Sequence, residues 1–408
     1  MLTCFSFASQ SSSAIVCCKH WKNHNIPLCH SSRDWASSFF IDNSKKLDKP
    51  FFLGRSAGTR TRSKPFGACP LVLKMTNNAS EESISSPNGG DILQSILQRK
   101  AVEVAQLKEK LSTEPSDNPI KKRLAMEGLF EPKDSFYSAL KKPNFTLSVI
   151  AEIKRKSPSK GHIGNIRDPA GLSRIYKEGG ASAISVLTDW EGFGGTLDDL
   201  RKVYKAQQQY RETYPGPAPI LRKDFIMDKV QIAEAAEAGA SAVLLIVSAL
   251  GERTKELLEA TYALGLEALV EVHNEEEVDI ALRSGAKIIG INNRNLKNFE
   301  VSLERAIKLR QLLPPEIVSV AESGISDPAD AWLLRDEGFN AILVGEALVT
   351  AAEKNQGVGT YYQTPVNQAY GLIRAFLSKS SRKYANSATA ALWGQGEGAK
   401  EFLGSISV

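Results

Sequence analysis

Hydrophobic residues from about position 147 onward fall into eight short runs that charged stretches separate. The runs are LSVIAEIK, SAISVLT, PILRKDF, AVLLIVS, EALVEVH, KIIGINN, VSVAESG and AILVGEAL. Continuous apolar runs indicate strands that are buried on both faces, and the stretches between them have the spacing of amphipathic helices. Eight such units in roughly 200 residues predict an α/β fold, a closed (β/α)8 TIM barrel.

Glycine residues in front of several runs mark the ends of the preceding helices. Gly180, Gly239, Gly285 and Gly338 are each followed by Ala or Phe at the start of the next apolar run. Helices commonly end at a glycine because it adopts a left-handed conformation without strain. These positions therefore support the alternation of helix and strand.

An amphipathic helix is predicted ahead of the barrel, over residues 91–111. Its apolar positions at helical spacing are Ile92, Ile96, Val102, Leu107 and Leu111. The barrel would then carry an N-terminal helical extension.

The first 75 residues differ from the rest in charge and in cysteine content. Residues 1–75 contain 11 Lys and Arg and 3 Asp and Glu, a balance of +8, so the remainder of a chain of net charge +5 carries −3. All five cysteines precede position 70. A Ser-rich, basic segment that is poor in acids is typical of an organelle transit peptide, and the late first basic residue, Lys19, favours a plastid over a mitochondrion. A plain disordered tail is the alternative.

The sequence predicts five segments along the chain. They are a transit peptide at 1–75, a linker at 76–90, the helical extension at 91–145, the barrel at 146–380 and a disordered tail at 381–408. The predicted location is the chloroplast, in the plastid stroma.

Composition removes several classes of function from the barrel. No run approaches the ~18 apolar residues of a membrane helix, and residues 76–408, of net charge −3, offer no basic surface for nucleic acid. The barrel has no cysteine and only two histidines, His162 and His273, so a cysteine nucleophile and a multi-histidine metal site are not expected. It also has no glycine-rich nucleotide loop, so the sequence predicts no cofactor and no metal.

Polar residues stand at the carboxyl end of almost every predicted strand. They are Glu152 and Lys154, Thr188 and Asp189, Lys223 and Asp224, Ser248, Glu271 and His273, Asn292 and Arg294, Glu322 and Ser323, and Gly345 and Glu346. In a closed barrel these ends meet at one face, where barrel enzymes have their active sites. Contact with solvent alone would also explain a polar strand end, but less well for eight strands together.

A phosphate site is predicted after the last two strands. Ser323-Gly324 and Gly345-Glu346 follow them, and glycine there allows backbone N–H groups to approach an anion. Arg294 could add charge-assisted hydrogen bonds, as could Lys154. The expected ligand is a small phosphorylated molecule.

Six motifs resemble those of indole-3-glycerol phosphate synthases, in the same order and at comparable spacing. They are AEIKRKSPSKG (151–161), ILRKDFIMD (220–228), ALVEVHNEEE (268–277), GINNRNL (290–296), AESGI (321–325) and ILVGEAL (342–348). The resemblance covers about residues 91–350. It implies a carboxy-lyase of tryptophan biosynthesis, here of plant type, that converts 1-(2-carboxyphenylamino)-1-deoxyribulose 5-phosphate to indole-3-glycerol phosphate with loss of CO₂ and water and without a cofactor.

The resemblance also implies roles for individual residues. Lys223 is the acid that protonates the substrate carbonyl, Glu271 is the carboxylate that acts in dehydration, and Lys154 pairs with the substrate carboxylate. The groups that orient these residues and the substrate hydroxyls are Glu152, Asn292 and Glu322. A lysine among other cations in a shielded cavity has a lowered pKa, which suits proton donation near neutral pH, and this is the expectation for Lys223.

Further residues are expected to bind the substrate. They are Ser157, Pro158, Phe225, Arg294, Glu322, Ser323, Gly324, Leu343, Gly345 and Glu346. The resemblance places Ser157 and Pro158 in a loop over the substrate and Phe225 against its aromatic ring. His273 shares a strand face with Glu271, and both a site role and a structural role remain open.

Two features depart from the family pattern. Gly192 stands after the second strand where an aromatic residue is common, and the chain continues for about 60 residues beyond Gly345. The alternatives are therefore a paralogue with reduced activity, another phosphosugar barrel such as a phosphoribosylanthranilate isomerase, and a silent scaffold. The isomerases use a cysteine base, which this barrel lacks. An association with other enzymes of tryptophan biosynthesis is a further expectation.

Overall fold

The computed structural model describes residues 89–133, 135–143, 146–158, 160–294, 301–353 and 365–379. The predicted transit peptide and C-terminal tail lie outside these residues. The predicted linker also lies outside them, except for its last two residues, which begin a helix at Gly89.

Eight parallel strands form a closed barrel in which each strand pairs with its neighbours in the chain and the first pairs with the last. They are β1 (Ser148–Ile153), β2 (Ala183–Leu187), β3 (Ile220–Lys223), β4 (Ala242–Ile246), β5 (Glu267–Val272), β6 (Ile288–Asn292), β7 (Val318–Glu322) and β8 (Ala341–Val344). The closing pair aligns Ser148 with Ala341. The barrel that the eight apolar runs predict is confirmed.

Helices precede the barrel and follow its strands. They are α1 (Gly89–Thr113), α2 (Pro119–Ala125), α3 (Ser135–Leu140), α4 (Pro169–Glu178), α5 (Trp190–Phe193), α6 (Leu197–Gln207), α7 (Lys229–Ala238), α8 (Val247–Leu250), α9 (Thr254–Ala263), α10 (Glu275–Arg283), α11 (Leu303–Arg310), α12 (Pro328–Asp336), α13 (Glu346–Glu353) and α14 (Pro365–Phe376). A short hairpin of Lys156–Ser157 and Gly161–His162 follows β1.

Local signals in the sequence fix the ends of these helices. The side chains of Thr196, Asp228 and Asp327 accept backbone N–H groups at the starts of α6, α7 and α12, in capping boxes. At the other ends, the four glycines that the sequence indicates all have positive φ, for example 96° at Gly239. Each helix therefore stops where the next strand must begin.

The core has an inner and an outer layer, as the continuous apolar strands predict. Side chains such as Ile150, Leu221 and Leu269 fill the barrel interior, whereas Val149, Ile184 and Val270 pack between the strands and the surrounding helices. Since a barrel filled in this way has no passage through it, a ligand can bind only at the ends of the barrel.

The N-terminal extension closes the end of the barrel where the strands begin. Phe136 and Leu140 of α3 are fully buried in the inner core. The Glu267 carboxylate, at the start of β5, accepts the backbone N–H groups of Phe136 and Tyr137 at 2.6 and 2.7 Å. This carboxylate satisfies the first N–H groups of α3 and interacts favourably with its dipole.

Helix α1 packs on α7, and the sequence pattern predicts only some of the residues on the face that it buries. Leu111 is buried with Val104 against Val230. Val102, predicted on the apolar face, is 57% exposed, so that assignment is wrong. Val102 and Val104 lie two positions apart, so they point to different sides of a helix, and Val104 takes the inner side.

In the part of the chain described, no helix is long and apolar enough to cross a membrane.

Candidate active site

A cavity opens at the end of the barrel where the strands finish. The residues predicted for the site all line it, and they are Glu152, Lys154, Ser157, Pro158, Lys223, Phe225, Glu271, Asn292, Arg294, Glu322, Ser323, Gly324, Leu343, Gly345 and Glu346. Three residues of the polar strand-end pattern do not line the cavity, namely Thr188, Ser248 and His273. Ser248 is exposed on α8, Thr188 bonds to Asp224 and Arg222, and His273 pairs with Glu277. Strand β4 contributes Leu244 and Ile246 instead, which gives the cavity an apolar side.

The ammonium group of Lys223 lies between two buried carboxylates. Its Nζ is 3.1 Å from Glu271 Oε2 and 3.1 Å from Glu322 Oε2. The three side chains come from β3, β5 and β7, which are alternate strands of the barrel. The closed ring therefore brings together groups that are about 50 to 100 residues apart in the sequence.

The charge state of Lys223 differs from the one that the sequence suggests. Burial alone lowers the pKa of this lysine, but the negative charges of Glu271, Glu322 and Glu152 outweigh burial and raise the pKa above its ordinary value. The expectation of a lowered pKa is wrong because the neighbours are carboxylates rather than cations. Lys223 is therefore fully protonated at neutral pH.

The two carboxylates that share Lys223 have opposite pKa shifts. Burial raises the pKa of Glu271, but Lys223, His273 and Asn292 favour the charged form more strongly, so its pKa is lowered. Burial and the nearby charges of Glu271 and Glu152 raise the pKa of Glu322 to about 7, although Lys223 opposes the shift. At neutral pH, Glu271 is thus a carboxylate, whereas Glu322 is partly protonated.

A second lysine and an amide complete the polar centre. Lys154 Nζ lies 2.9 Å from Glu152 Oε1, and the Asn292 amide donates to Glu271 Oε1 at 3.1 Å. Asn292 Oδ1 accepts the backbone N–H of Arg294 at 3.0 Å. Within the residues that the structure covers, no group of three or more His, Cys, Asp or Glu side chains is arranged to hold a metal ion.

The backbone after β7 and β8 is shaped by glycine and by one strained serine. Ser323 and Gly324 both have positive φ, 67° and 74°, and Ser323 is the one non-glycine residue described with such a value. A Cβ atom at Gly345 would lie 2.4 Å from Glu152 Oε1, so this glycine also leaves room for the Glu152 carboxylate. Strained backbone of this kind concentrates at ligand-binding turns.

Two phenylalanines form an aromatic wall of the cavity. The rings of Phe193 and Phe225 lie 6.4 Å apart at 35°. Ser157 and Pro158, in the hairpin after β1, line the cavity, and Lys160 of the same hairpin forms an ion pair with Glu346. The wall and the hairpin thus lie around the polar centre.

The extension contributes charges that hold the loops after β2 and β3. Lys100 of α1 is only 2% exposed, and its Nζ lies 2.8 Å from Asp189 and 2.9 Å from Asp224. Arg99 donates to both oxygens of Asp189, at 2.8 and 3.1 Å. Asp189 in turn accepts the N–H of Gly192, in the short helix that carries Phe193. Helix α1 therefore fixes one side of the cavity.

Comparison with known proteins shows the family of the chain. Residues 93–360 match the family model described as indole-3-glycerol phosphate synthase. The chain belongs to the indole-3-glycerol phosphate synthase family. It is 43% identical over 263 residues to the indole-3-glycerol phosphate synthase of Chlorobium chlorochromatii, which covers 64% of this chain and 96% of that one.

Other members of the indole-3-glycerol phosphate synthase family show similar identity. The protein of this name from Kineococcus radiotolerans is 43% identical over 61% of this chain and 85% of its own. The one from Opitutus terrae is 47% identical over 54% and 81%. A solved structure that resembles the chain, the tryptophan synthase alpha subunit of Legionella pneumophila, is 14% identical, covers 64% of this chain and 98% of that one, and has a TM-score of 0.44.

Several cavity residues escape the motifs of the indole-3-glycerol phosphate synthase family. Ile92, Leu93 and Ile96 line the cavity from α1, where helical spacing indicates an apolar face but not its partner. The pattern of polar strand ends includes Asp189 and Asp224 but does not predict what they do. Nothing in the sequence marks Lys100, because a buried lysine and an exposed one look alike in a helical pattern.

Proposed function

We propose that the cavity binds 1-(2-carboxyphenylamino)-1-deoxyribulose 5-phosphate and closes the indole ring with loss of CO₂ and water. The observation that carries this proposal is the ammonium group of Lys223 held between Glu271 and Glu322 inside an enclosed barrel mouth. Ring closure turns a carbonyl oxygen into a hydroxyl group, so it requires a positioned acid. A fully protonated lysine supplies that acid.

Lys223 acts through its charge before it transfers a proton. As the aromatic carbon attacks the carbonyl carbon, negative charge grows on the carbonyl oxygen, and the ammonium group stabilises this charge. A developing alkoxide is more basic than an amine, so proton transfer to it is favourable even from a lysine whose pKa is raised. The proton forms the new hydroxyl group, and release of CO₂ leaves its bonding electrons in the ring.

The carboxylates serve the dehydration that follows. The hydroxyl group leaves as water after it gains a proton, and a base removes a proton from the neighbouring atom of the new ring. Glu271 is ionised and is the base, since its low pKa keeps it in the required form. Glu322 titrates near neutral pH and can hold a proton beside the substrate hydroxyl groups.

The remaining residues orient the two ends of the substrate. The turns at Ser323-Gly324 and Gly345-Glu346, with the start of α13, offer backbone N–H groups to the phosphate, and Arg294 lies on the same rim. Lys154 pairs with the substrate carboxylate in place of Glu152, and Asn292 holds Glu271. The aromatic ring packs on Phe225 and Phe193, under the hairpin that contains Ser157 and Pro158.

Turnover by the purified chain tests this proposal directly. The substrate is mixed with the chain, and the indole product is followed by its fluorescence, with and without a metal chelator. We expect product formation that the chelator leaves unchanged. Absence of product would reject the activity, and loss of turnover with the chelator would reject the metal-free chemistry. Phosphoribosylanthranilate, offered as the alternative substrate, should remain unconverted.

We also propose that residues 1–75 direct the protein to the plastid stroma and are then removed. Their basic, Ser-rich composition supports this, as does a barrel of opposite net charge. These residues fused to a fluorescent protein should carry it into isolated chloroplasts, and the import should yield a shorter product. Uptake by mitochondria instead, or no uptake, would reject the proposal.

In the stroma, the product could pass to the next enzyme of tryptophan biosynthesis, and copurification with pathway enzymes would test that association.

A further inference from the structure

A histidine that the proposed mechanism does not use lies directly behind the Glu271 carboxylate. His273 follows β5, and only 10% of its side chain is exposed. Its Nδ1 lies within hydrogen-bond distance of Glu277 Oε2, at 3.0 Å, whereas its Nε2 lies 3.3 Å from Glu271 Oε1 as an ion pair without hydrogen-bonding geometry. The ring therefore bridges a carboxylate of the cavity and a carboxylate of α10.

Glu277 is itself firmly held. Its Oε2 accepts the backbone N–H of His273 at 2.8 Å, and its Oε1 accepts the Asn274 side-chain amide at 2.9 Å. Its own N–H donates to Asn274 Oδ1 at 2.9 Å, at the start of α10. A carboxylate in the first turn of a helix also interacts favourably with the helix dipole. Glu277 thus provides a fixed point from which the ring of His273 is oriented.

We propose that His273, held by Glu277, is a positioning residue that fixes the orientation of the Glu271 carboxylate. The proposal rests on the catalytic role proposed for Glu271. The terminal torsion of a glutamate is broad, so a catalytic glutamate needs neighbours on both oxygens. Asn292 donates a hydrogen bond to Oε1, and the ring of His273 attracts the same oxygen as an ion pair, which directs Oε2 toward Lys223.

The charge of the ring adds to this positioning. Burial lowers the pKa of His273, but its contacts with Glu271 and Glu277 outweigh burial and raise the pKa to about 10. The ring is therefore a cation at neutral pH, and this cation helps to keep Glu271 ionised. Among the residues that the structure describes, those that face His273 are Glu271 and Glu277, and those that face Glu271 are Lys223, Glu322, Asn292 and His273.

Two substitutions of His273 separate orientation from packing. In His273→Asn, the amide can replace Nδ1 toward Glu277 but cannot reach Glu271, whereas in His273→Gln it can replace Nε2 toward Glu271. We expect His273→Asn to lower kcat about ten- to a hundredfold with little change in KM, and His273→Gln to recover part of this loss. In both variants the acidic limb of the kcat–pH profile should move to higher pH, because a positive charge beside Glu271 is lost.

Neighbouring glutamates of α10 give a matched control. Glu277→Gln removes the negative charge that holds the ring, and Glu276→Gln removes the same charge one residue away, where the side chain is exposed. Glu277→Gln should lower kcat and shift the profile as His273→Asn does, whereas Glu276→Gln should leave both unchanged. Equal behaviour of the two glutamine variants would overturn the proposal.

A readout that does not depend on turnover separates this proposal from the proposed function. With ¹⁵N-labelled histidine in the full chain, both ring nitrogens of His273 should remain protonated at pH 7, and Glu277→Gln should lower the pH at which the ring titrates. Titration near the ordinary value of 6.5 would overturn the proposal. A fully active Glu271→Gln variant would instead reject the role of Glu271, while an inactive Glu271→Gln beside an unaltered His273→Asn would reject the positioning role alone.

Discussion

At the scale of single residues, the site depends on how buried charges are arranged around one another. Lys223 is buried, yet three carboxylates keep it protonated, and the same lysine helps to hold Glu271 ionised. Glu322 shares this lysine, and its pKa is raised because one cation cannot stabilise two full negative charges equally. Two glutamates of one cluster therefore have different functions.

Isosteric substitution of these two glutamates should reveal that difference. Glu271→Gln removes a carboxylate that must be ionised, so we expect kcat to fall about 10²- to 10⁴-fold at all pH values. Glu322→Gln resembles the protonated form that wild type already populates, so its loss should be smaller and should nearly vanish below pH 7. Profiles of kcat against pH from 5 to 9 measure both. Equal losses at pH 6 would contradict the assignment.

Gly192 is a second residue whose identity the contacts explain. A Cβ atom at this position would lie 2.6 Å from Asp189 Oδ2, which Arg99 holds in place. An aromatic residue, common here in the family, would require Asp189 to move. The departure from the family pattern is therefore linked to the ion pairs with α1.

Substitution of this glycine tests the linkage. Gly192→Ala should displace Asp189, raise KM through Phe193 and destabilise the fold by about 1–3 kcal/mol. Gly371→Ala, in α14, is the control, because a Cβ atom there meets no atom within 4 Å, and alanine should stabilise that helix by about 1 kcal/mol. Thermal unfolding and steady-state kinetics provide the comparison. Wild-type values for Gly192→Ala would show that the loop accommodates a side chain.

At the scale of elements, the helical extension acts on both ends of the barrel. Helix α3 fills the end where the strands begin, and α1 lies beside the cavity at the other end. The connection at the cavity is ionic, through Lys100 between Asp189 and Asp224. Buried charges of this kind are costly to leave without a partner, so the extension and the cavity wall depend on each other.

Removal of this connection should therefore destabilise the fold and weaken substrate binding. Lys100→Met leaves two buried aspartates without their shared cation, and we expect a loss of about 3–5 kcal/mol in the free energy of unfolding and a higher KM. Lys108→Met, on the same helix, removes a lysine whose side chain is 55% exposed and should cost less than about 1 kcal/mol. Denaturant titration of both variants gives the comparison, and similar losses would argue against a specific role for Lys100.

At the scale of the whole molecule, the buried charges make stability depend on pH. Burial raises the pKa of Asp224, but Arg222, Lys100 and Thr188 outweigh burial and lower it to about 2. A carboxyl group with a lowered pKa contributes stability above its ordinary value of 3.8, and this contribution is lost as the pH falls through about 2. His273, with a raised pKa, contributes stability that is fully present below 6.5 and is lost as the pH rises through about 10.

Measurements of unfolding across the pH range should show a loss of stability at both acid and alkaline pH. In Asp224→Asn the loss of stability between about pH 4 and pH 2 should become shallower, since the group that takes up a proton on unfolding is absent. Asp279→Asn is the control, because this side chain is 68% exposed and pairs with Arg283 at the surface. Thermal unfolding from pH 2 to pH 10 measures the slopes. An unchanged acid slope in Asp224→Asn would reject the shift of Asp224.

The sequence predicts the barrel and the members of the site because both follow from strong local patterns. Eight apolar runs give the strands, and the ends of those strands give Lys154, Lys223 and Glu271. Charge states and long-range partners do not follow, since they depend on which side chains meet in space. The raised pKa of Lys223 required Glu271 and Glu322 at 3.1 Å, and the role of Lys100 required the packing of α1 on the barrel.

The most direct measurement is the turnover of Lys223→Ala beside that of Lys229→Ala, each at saturating substrate. Lys229 is close in sequence and pairs with Glu127 at the surface, with its side chain 54% exposed. We expect Lys223→Ala to lose about 10²- to 10⁴-fold in kcat while circular dichroism shows a folded barrel, and Lys229→Ala to match wild type. Wild-type turnover by a folded Lys223→Ala variant would contradict the assignment of the acid.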